Sequence, residues 1–148
     1  MTRAEKAREY FLQGYACSQA VALAFADLLE MDEASLKKIM LPFGGGLGRQ
    51  RLTCGAVSGM CAVYGLLFAG DGLDADNKRD VYAGVRELCD AFKKENGSII
   101  CEDLLLGRNL TVEKGGQADA RTEEYYKKRP CGELVYIATK LLEEKLEK

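Results

Sequence analysis

Apolar residues recur at helical spacing over most of the chain, and no segment alternates as a half-buried strand would. Ala20, Val21, Leu23, Ala24, Phe25, Leu28 and Leu29 trace one such face, predicting a helix that begins near Cys17 and ends around Met31. Val81, Val85, Leu88, Cys89 and Phe92 trace another, from about Asp74 to Asn96, with Gly97 as its stop. Leu134, Val135, Ile137, Ala138, Leu141 and Leu142 predict a last helix that starts at Cys131, directly behind Pro130.

Polar punctuation supplies the remaining elements. Thr2 and Glu5 have the spacing of a capping box for a first helix that stops at Gly14. Asp32 opens a short third helix through Leu36 and Ile39, closed by Pro42. Ser98 caps a short helix holding Cys101, Leu104 and Leu105, which ends at Gly107. Arg108 to Arg121, with Gly115 and Gly116 inside it, reads as a mobile loop. The tail from Glu143 to Lys148 reads as a solvated helical face. The expected fold is all-α, a single-domain bundle of about six helices over residues 1–148.

Leu52 to Gly70 carries no charge and approaches the length of a bilayer span. Its glycines, Ser58, Thr53 and Cys54 dilute the hydrophobicity, so a central buried helix is expected and stable membrane insertion is not. Gly55 and Gly59 then permit close helix–helix approach. The preceding Gly44, Gly45 and Gly46 resemble a phosphate loop only superficially, because the segment before them reads helical and Arg49 stands where a dinucleotide fingerprint needs glycine. Two readings remain for this connector: a turn where backbones approach closely, or a loop whose N–H groups, with Arg49 or Arg51, stabilise thiolates or an anionic ligand.

Net charge narrows the functions. With 21 basic and 23 acidic residues, and a net charge of -2, the chain has no field that would gather nucleic acid. It contains no histidine, which removes Ser-His-Asp and Cys-His activation and every zinc site that needs imidazole. Chemistry must run on sulfur, carboxylate, Lys, Arg or Tyr. The charged beginning, Met1 to Arg8, has no apolar stretch, so a cytoplasmic location with reduced thiols is expected.

Six cysteines then carry the chemical interest. Cys17, Cys54, Cys101 and Cys131 each open a predicted helix, where unpaired backbone N–H groups and the positive end of the dipole favour thiolate. No pair has Cys-x-x-Cys spacing, so any site must be assembled by convergence of helix starts. Cys89 lies mid-helix on an apolar face and reads as structural. Cys61, seven residues past Cys54, shares a helix face with it but lies roughly 10 Å along the axis, too far to bridge it; a structural or auxiliary role is expected.

Cys54-Gly55-Ala56-Val57-Ser58-Gly59 matches a Cys-Gly-Ala-x-x-Gly signature and resembles the C_GCAxxG_C_C family of redox-active proteins. The early Cys17-Ser18-Gln19-Ala20-Val21, Phe43-Gly44-Gly45-Gly46, Cys101-Glu102-Asp103-Leu104-Leu105 and the late Cys131-Gly132 extend the resemblance along the whole chain. Thr53 stands where the family name suggests glycine, and the cysteine register is unchanged. The resemblance implies that Cys17, Cys54, Cys101 and Cys131 are the characteristic set, with Cys61 and Cys89 outside it.

These four cysteines are the expected catalytic residues of a thiol-based oxidoreductase, or the ligands of a metal. Gly44, Gly45, Gly46, Gly55 and Gly59 are the expected cofactor-binding positions. A redox-active protein would exchange disulfides with a partner protein or a small-molecule oxidant or reductant, or pass electrons through a Cys-ligated iron–sulfur cluster. The alternatives are a zinc site of four cysteines without redox role, or a helical interaction module with buried cysteines. A homodimer is expected on general grounds only.

Overall fold

Thr2 accepts a hydrogen bond from Glu5 N at 3.1 Å and donates its own N–H back to the Glu5 carboxylate, so the expected capping box starts α1 (Arg3–Leu12). The computed structural model describes all 148 residues, Met1 to Lys148. After α1 come α2 (Cys17–Leu23), α3 (Glu33–Met40), α4 (Gly55–Phe68), α5 (Ala75–Asn96), α6 (Cys101–Leu106), α7 (Glu123–Lys128) and α8 (Cys131–Leu146). The fold is all-α. Asp32 and Asp74 cap α3 and α5 with their carboxylates, and α5 ends where Gly97 turns to φ +90°.

Three elements differ from expectation. Ser98 does not cap α6: Ile100 holds the cap position, while the Ser98 hydroxyl accepts from Ile100 N at 2.9 Å and donates to the Asp103 carboxylate at 2.8 Å. The second helix ends at Leu23 instead of near Met31, because the Ala24 carbonyl accepts from the Arg3 guanidinium at 2.8 Å and the next turn tightens into a 3-10 segment, Ala26–Leu28. The same guanidinium grips Asp27 at 2.6 Å, which ties that tightened turn to α1. The short helix α7 was not signalled by apolar periodicity; it is started by Thr122, whose hydroxyl accepts from Tyr125 N at 3.1 Å.

One core of 22 buried residues runs through the molecule. α2 lies at its centre, with Ser18 to Leu23 all buried, and packs against α1, α3, α4 and α8. Ser18 donates its hydroxyl to the Met40 carbonyl at 2.7 Å, and Gln19 donates to the Lys37 carbonyl at 2.9 Å. Buried polar groups satisfied in this way fix the start of α2 against the end of α3. α4 buries Ala56, Val57, Met60 and Val63, in accord with a central core helix. No helix is long and apolar enough to cross a membrane.

The chain between α3 and α4 is held in an uncommon backbone conformation. Gly45, Gly46, Leu47, Gly48, Arg49 and Arg51 all have φ between 61° and 73°. Left-handed backbone at Leu47, Arg49 and Arg51 carries strain of order 1 kcal/mol or more per residue, which the surroundings must enforce. Hydrogen bonds from Arg51 N to Gly45 O and from Leu52 N to Gly46 O, at 3.1 and 2.9 Å, close the loop on itself. The segment between α6 and α7 is not helical, as expected, but it is pinned: Gly115 N donates to Arg49 O at 2.9 Å, and Arg51 Nε donates to Glu113 O at 2.9 Å.

Candidate functional site

Three of the four cysteines that were expected to open helices are the first residue of one: Cys17 in α2, Cys101 in α6 and Cys131 in α8. Cys54 is the residue that caps α4. Local backbone pairing sets two of them side by side. Thr53 and Ile100 form an isolated antiparallel bridge, flanked by Cys54 N to Ile99 O at 2.8 Å and Cys101 N to Leu52 O at 2.6 Å. The starts of α4 and α6 are therefore laced together by main chain, independently of any side chain.

Cys17 reaches the same place through the glycines of the signature. A Cβ at Gly55 would strike Cys17 Sγ, and one at Gly59 would come within 2.7 Å of the Ser18 carbonyl. The missing side chains let the first turn of α2 lie against the first turn of α4. Gly44 does the same for Ala16, whose Cβ would stand 2.9 Å from an added methyl. Cys131 arrives from α8, which packs along α1, α2 and α4.

All four cysteines line one cavity of about 310 Å³. Cys54 and Cys101 are 5% and 9% exposed, while Cys17 and Cys131 are partly buried. None is in a disulfide. Of the five glycines expected to bind a cofactor, Gly44, Gly45 and Gly55 line the cavity. Gly46 instead lies against the Arg51–Leu52 backbone and Gly59 against α2, so for these two the visible role is close packing.

Charged residues complete the wall, and most were invisible to sequence reasoning. Arg49, Arg51, Arg121 and Arg129 border the cavity with a single carboxylate, Asp119. Asp119 holds Arg129 at 2.7 Å, Arg49 at 3.6 Å and Arg51 at 3.9 Å. Arg51, only 5% exposed, also directs a guanidinium N–H at Cys101 Sγ, 3.8 Å away. This sets a cation beside one of the cavity sulfurs. Arg121 is sandwiched among Phe11, Tyr125 and Tyr126 and donates to the Phe11 and Tyr15 carbonyls at 2.9 and 3.1 Å. Asp119 and Arg121 belong to a stretch that has no periodicity, and only their partners reveal them.

The expected thiolate character is reversed at three of the four sulfurs. Burial is the largest influence at Cys17, Cys54 and Cys131, and it raises each thiol above its ordinary range. Cys131 is pushed up to about 12, with Cys17 and Cys101 adding to the rise while Arg129 and Arg121 oppose it. At Cys17 the Gly45 and Ser18 backbone N–H groups act in the direction the helix start predicts, and desolvation outweighs them. At Cys54 the neighbouring sulfurs Cys17 and Cys131 reinforce burial against the Val57 and Ala56 N–H groups. A dry pocket of sulfurs resists charge more than the helix starts favour it.

The helix-start cysteines, the Gly55-x-x-x-Gly59 packing and the glycine loop together match one family model over residues 15–145, described as "Putative redox-active protein (C_GCAxxG_C_C)". The chain belongs to the C_GCAxxG_C_C family. No curated protein and no solved structure matches it. The C_GCAxxG_C_C signature residues Cys54, Gly55, Ala56 and Gly59 are all buried, so in this chain the signature acts as a packing device that delivers sulfurs to one cavity.

Four thiols without histidine are a donor set suited in kind to iron–sulfur clusters or zinc. No three Cys, Asp or Glu groups are arranged to hold a metal ion, although four sulfurs share the cavity wall. The two cysteines outside the family set do meet: Cys61 Sγ lies 3.9 Å from Cys89 Sγ, between α4 and α5.

Proposed function

We propose that this C_GCAxxG_C_C protein is a thiol–disulfide redox protein whose buried cavity exchanges electron pairs with a disulfide substrate, and that Cys101 opens the exchange. The observation that carries this reading is the Arg51 N–H held on Cys101 Sγ inside a cavity shared with three further thiols. A guanidinium on a sulfur stabilises the charge that builds there as a proton leaves.

Cys101, once deprotonated, attacks one sulfur of the substrate disulfide; a sulfur–sulfur bond forms to Cys101 and the other half of the substrate departs as thiolate. A second cavity thiol then attacks the Cys101 sulfur, releases the remaining half of the substrate and closes an intramolecular disulfide. Two protein thiols lose two electrons and two protons, and the substrate disulfide becomes two thiols. Cys17 and Cys131 each interact electrostatically with the other three sulfurs, and Cys17 is taken to resolve because the Gly45 and Ser18 N–H groups directed at its sulfur help it carry charge as it attacks. High proton affinity at Cys17 and Cys54 keeps these thiols reduced and unreactive until a mixed disulfide is delivered.

The test is a reaction of the reduced protein with glutathione disulfide, followed by acid quenching, alkylation and peptide mass mapping. The expected product is a disulfide joining Cys101 to Cys17, with a Cys101–glutathione adduct trapped in Cys17→Ser. Full alkylation of all four cavity thiols after exposure would overturn the reading. So would a visible absorption band accompanied by iron and acid-labile sulfide after anaerobic purification.

A further inference from the structure

Cys61 lies about two turns along α4 from Cys54 and outside the lining of the four-cysteine cavity, and Cys89 stands on α5 opposite it. The two helices form an antiparallel pair joined by a short turn, drawn close where the Tyr64 ring lies over Gly84, so that a side chain there would have to displace the ring. The sulfurs are 3.9 Å apart, one donating its S–H to the other, and neither lines the cavity of the other four. A disulfide needs about 2.05 Å between sulfurs, so closure asks the two sulfurs to approach by about 1.9 Å.

The pair is also reachable. Cys89 borders a second cavity of about 410 Å³, shared with Asp90, Lys93, Ser98 and Ile99, while Cys61 lies deeper between the helices. A hydrogen bond from the Cys61 thiol draws Cys89 down to about 7, against opposing contributions from burial and from Asp90. The thiol nearer solvent is the better nucleophile, and the deeper one is positioned behind it.

We propose that Cys61 and Cys89 form a second dithiol that low-molecular-weight disulfides oxidise reversibly to an intramolecular disulfide, separate from the four-cysteine site. Cys89 thiolate attacks the small disulfide, forming a mixed disulfide and expelling one thiolate. Cys61 gives up its proton, attacks the Cys89 sulfur and expels the second. The dithiol loses two electrons and two protons, and the small disulfide is reduced to two thiols. The new bond would clasp α4 to α5 two helical turns from Cys54, bracing the helix that carries the signature. The pair acts independently of the chemistry in the cavity.

The experiment uses the full chain, reduced and then exposed to glutathione disulfide at pH 7.5, with alkylation and peptide mapping of timed samples. A cross-linked peptide pair containing Cys61 and Cys89, lighter by two hydrogens than the reduced pair and restored by dithiothreitol, is expected. In Cys61→Ser a glutathione adduct should persist on Cys89, and in Cys101→Ser the Cys61–Cys89 bond should still form. Recovery of both cysteines as alkylated thiols, while other cysteines oxidise, would overturn the proposal. So would a Cys61–Cys89 bond lost in Cys101→Ser, since the pair would then be a secondary product of the cavity.

Discussion

Cys17 Sγ occupies the space that a side chain at Gly55 would need. The same added Cβ would stand 2.9 Å from the Phe43 carbonyl, which is backbone and cannot swing aside. Gly55→Ala is therefore expected to lower stability by about 1–3 kcal/mol through overpacking and to push the first turn of α2 away from α4. Gly65→Ala, on the same helix but facing open space, should be neutral or stabilising by up to about 1 kcal/mol. Urea denaturation of the two variants checks the contrast; equal effects would remove the close-approach argument.

Asp119 is the one carboxylate that answers Arg49, Arg51 and Arg129. Asp119→Asn should leave three cations facing one another, cost about 1–3 kcal/mol, and loosen the segment between α6 and α7. Faster proteolytic cleavage between Arg108 and Arg121 is the accompanying expectation. An unchanged cleavage pattern would mean that the Glu113 and Gly115 main-chain contacts hold the segment unaided.

Alkali should unfold this protein through its thiols. Cys131 releases its proton near 12 when folded and near the ordinary 9.0 when unfolded, so the unfolded chain binds fewer protons between those values. Stability present below pH 9 is thus lost as the pH rises towards 12, and the upward shifts at Cys17 and Cys54 act in the same direction. Under reducing conditions the denaturation midpoint should fall across this window. Cys131→Ala should flatten the decline; an unaltered slope would assign it to other groups.

Arg51 cannot be replaced by Lys without losing a contact, because its Nε is committed to the Glu113 carbonyl while another nitrogen faces Cys101. A lysine supplies one ammonium and can serve one of these partners at a time. Arg51→Lys is expected to slow disulfide exchange at Cys101 by roughly tenfold, in line with the loss of one charge-assisted hydrogen bond. Stopped-flow exchange with glutathione disulfide, alongside a thermal melt that verifies the fold, reads this out.

The starts of α1, α3 and α5 were legible because their signals are local. Thr2 and Glu5, or Asp74 with the two N–H groups it accepts, act within a single turn and need no distant partner. The end of α2 was not legible, since the Ala24 carbonyl is claimed by Arg3 from another helix. The four cavity cysteines could be singled out by their positions at helix starts and by the signature around Cys54. The second pair could not: Cys61 and Cys89 are 28 residues apart on different helices, and each alone looks like a core residue.

Composition, periodicity and capping residues were sufficient to establish an all-α chain that keeps its thiols free of histidine and places four of them at helix starts. Those features operate over a few residues, so they are written in consecutive letters. Which sulfurs meet, how Asp119 gathers three arginines, and why Cys17, Cys54 and Cys131 hold their protons depend on packing between remote segments. Burial is the physical reason for the last: a helix start favours thiolate wherever it occurs, but the desolvation that outweighs it exists only once α2, α4 and α8 have closed around the cavity.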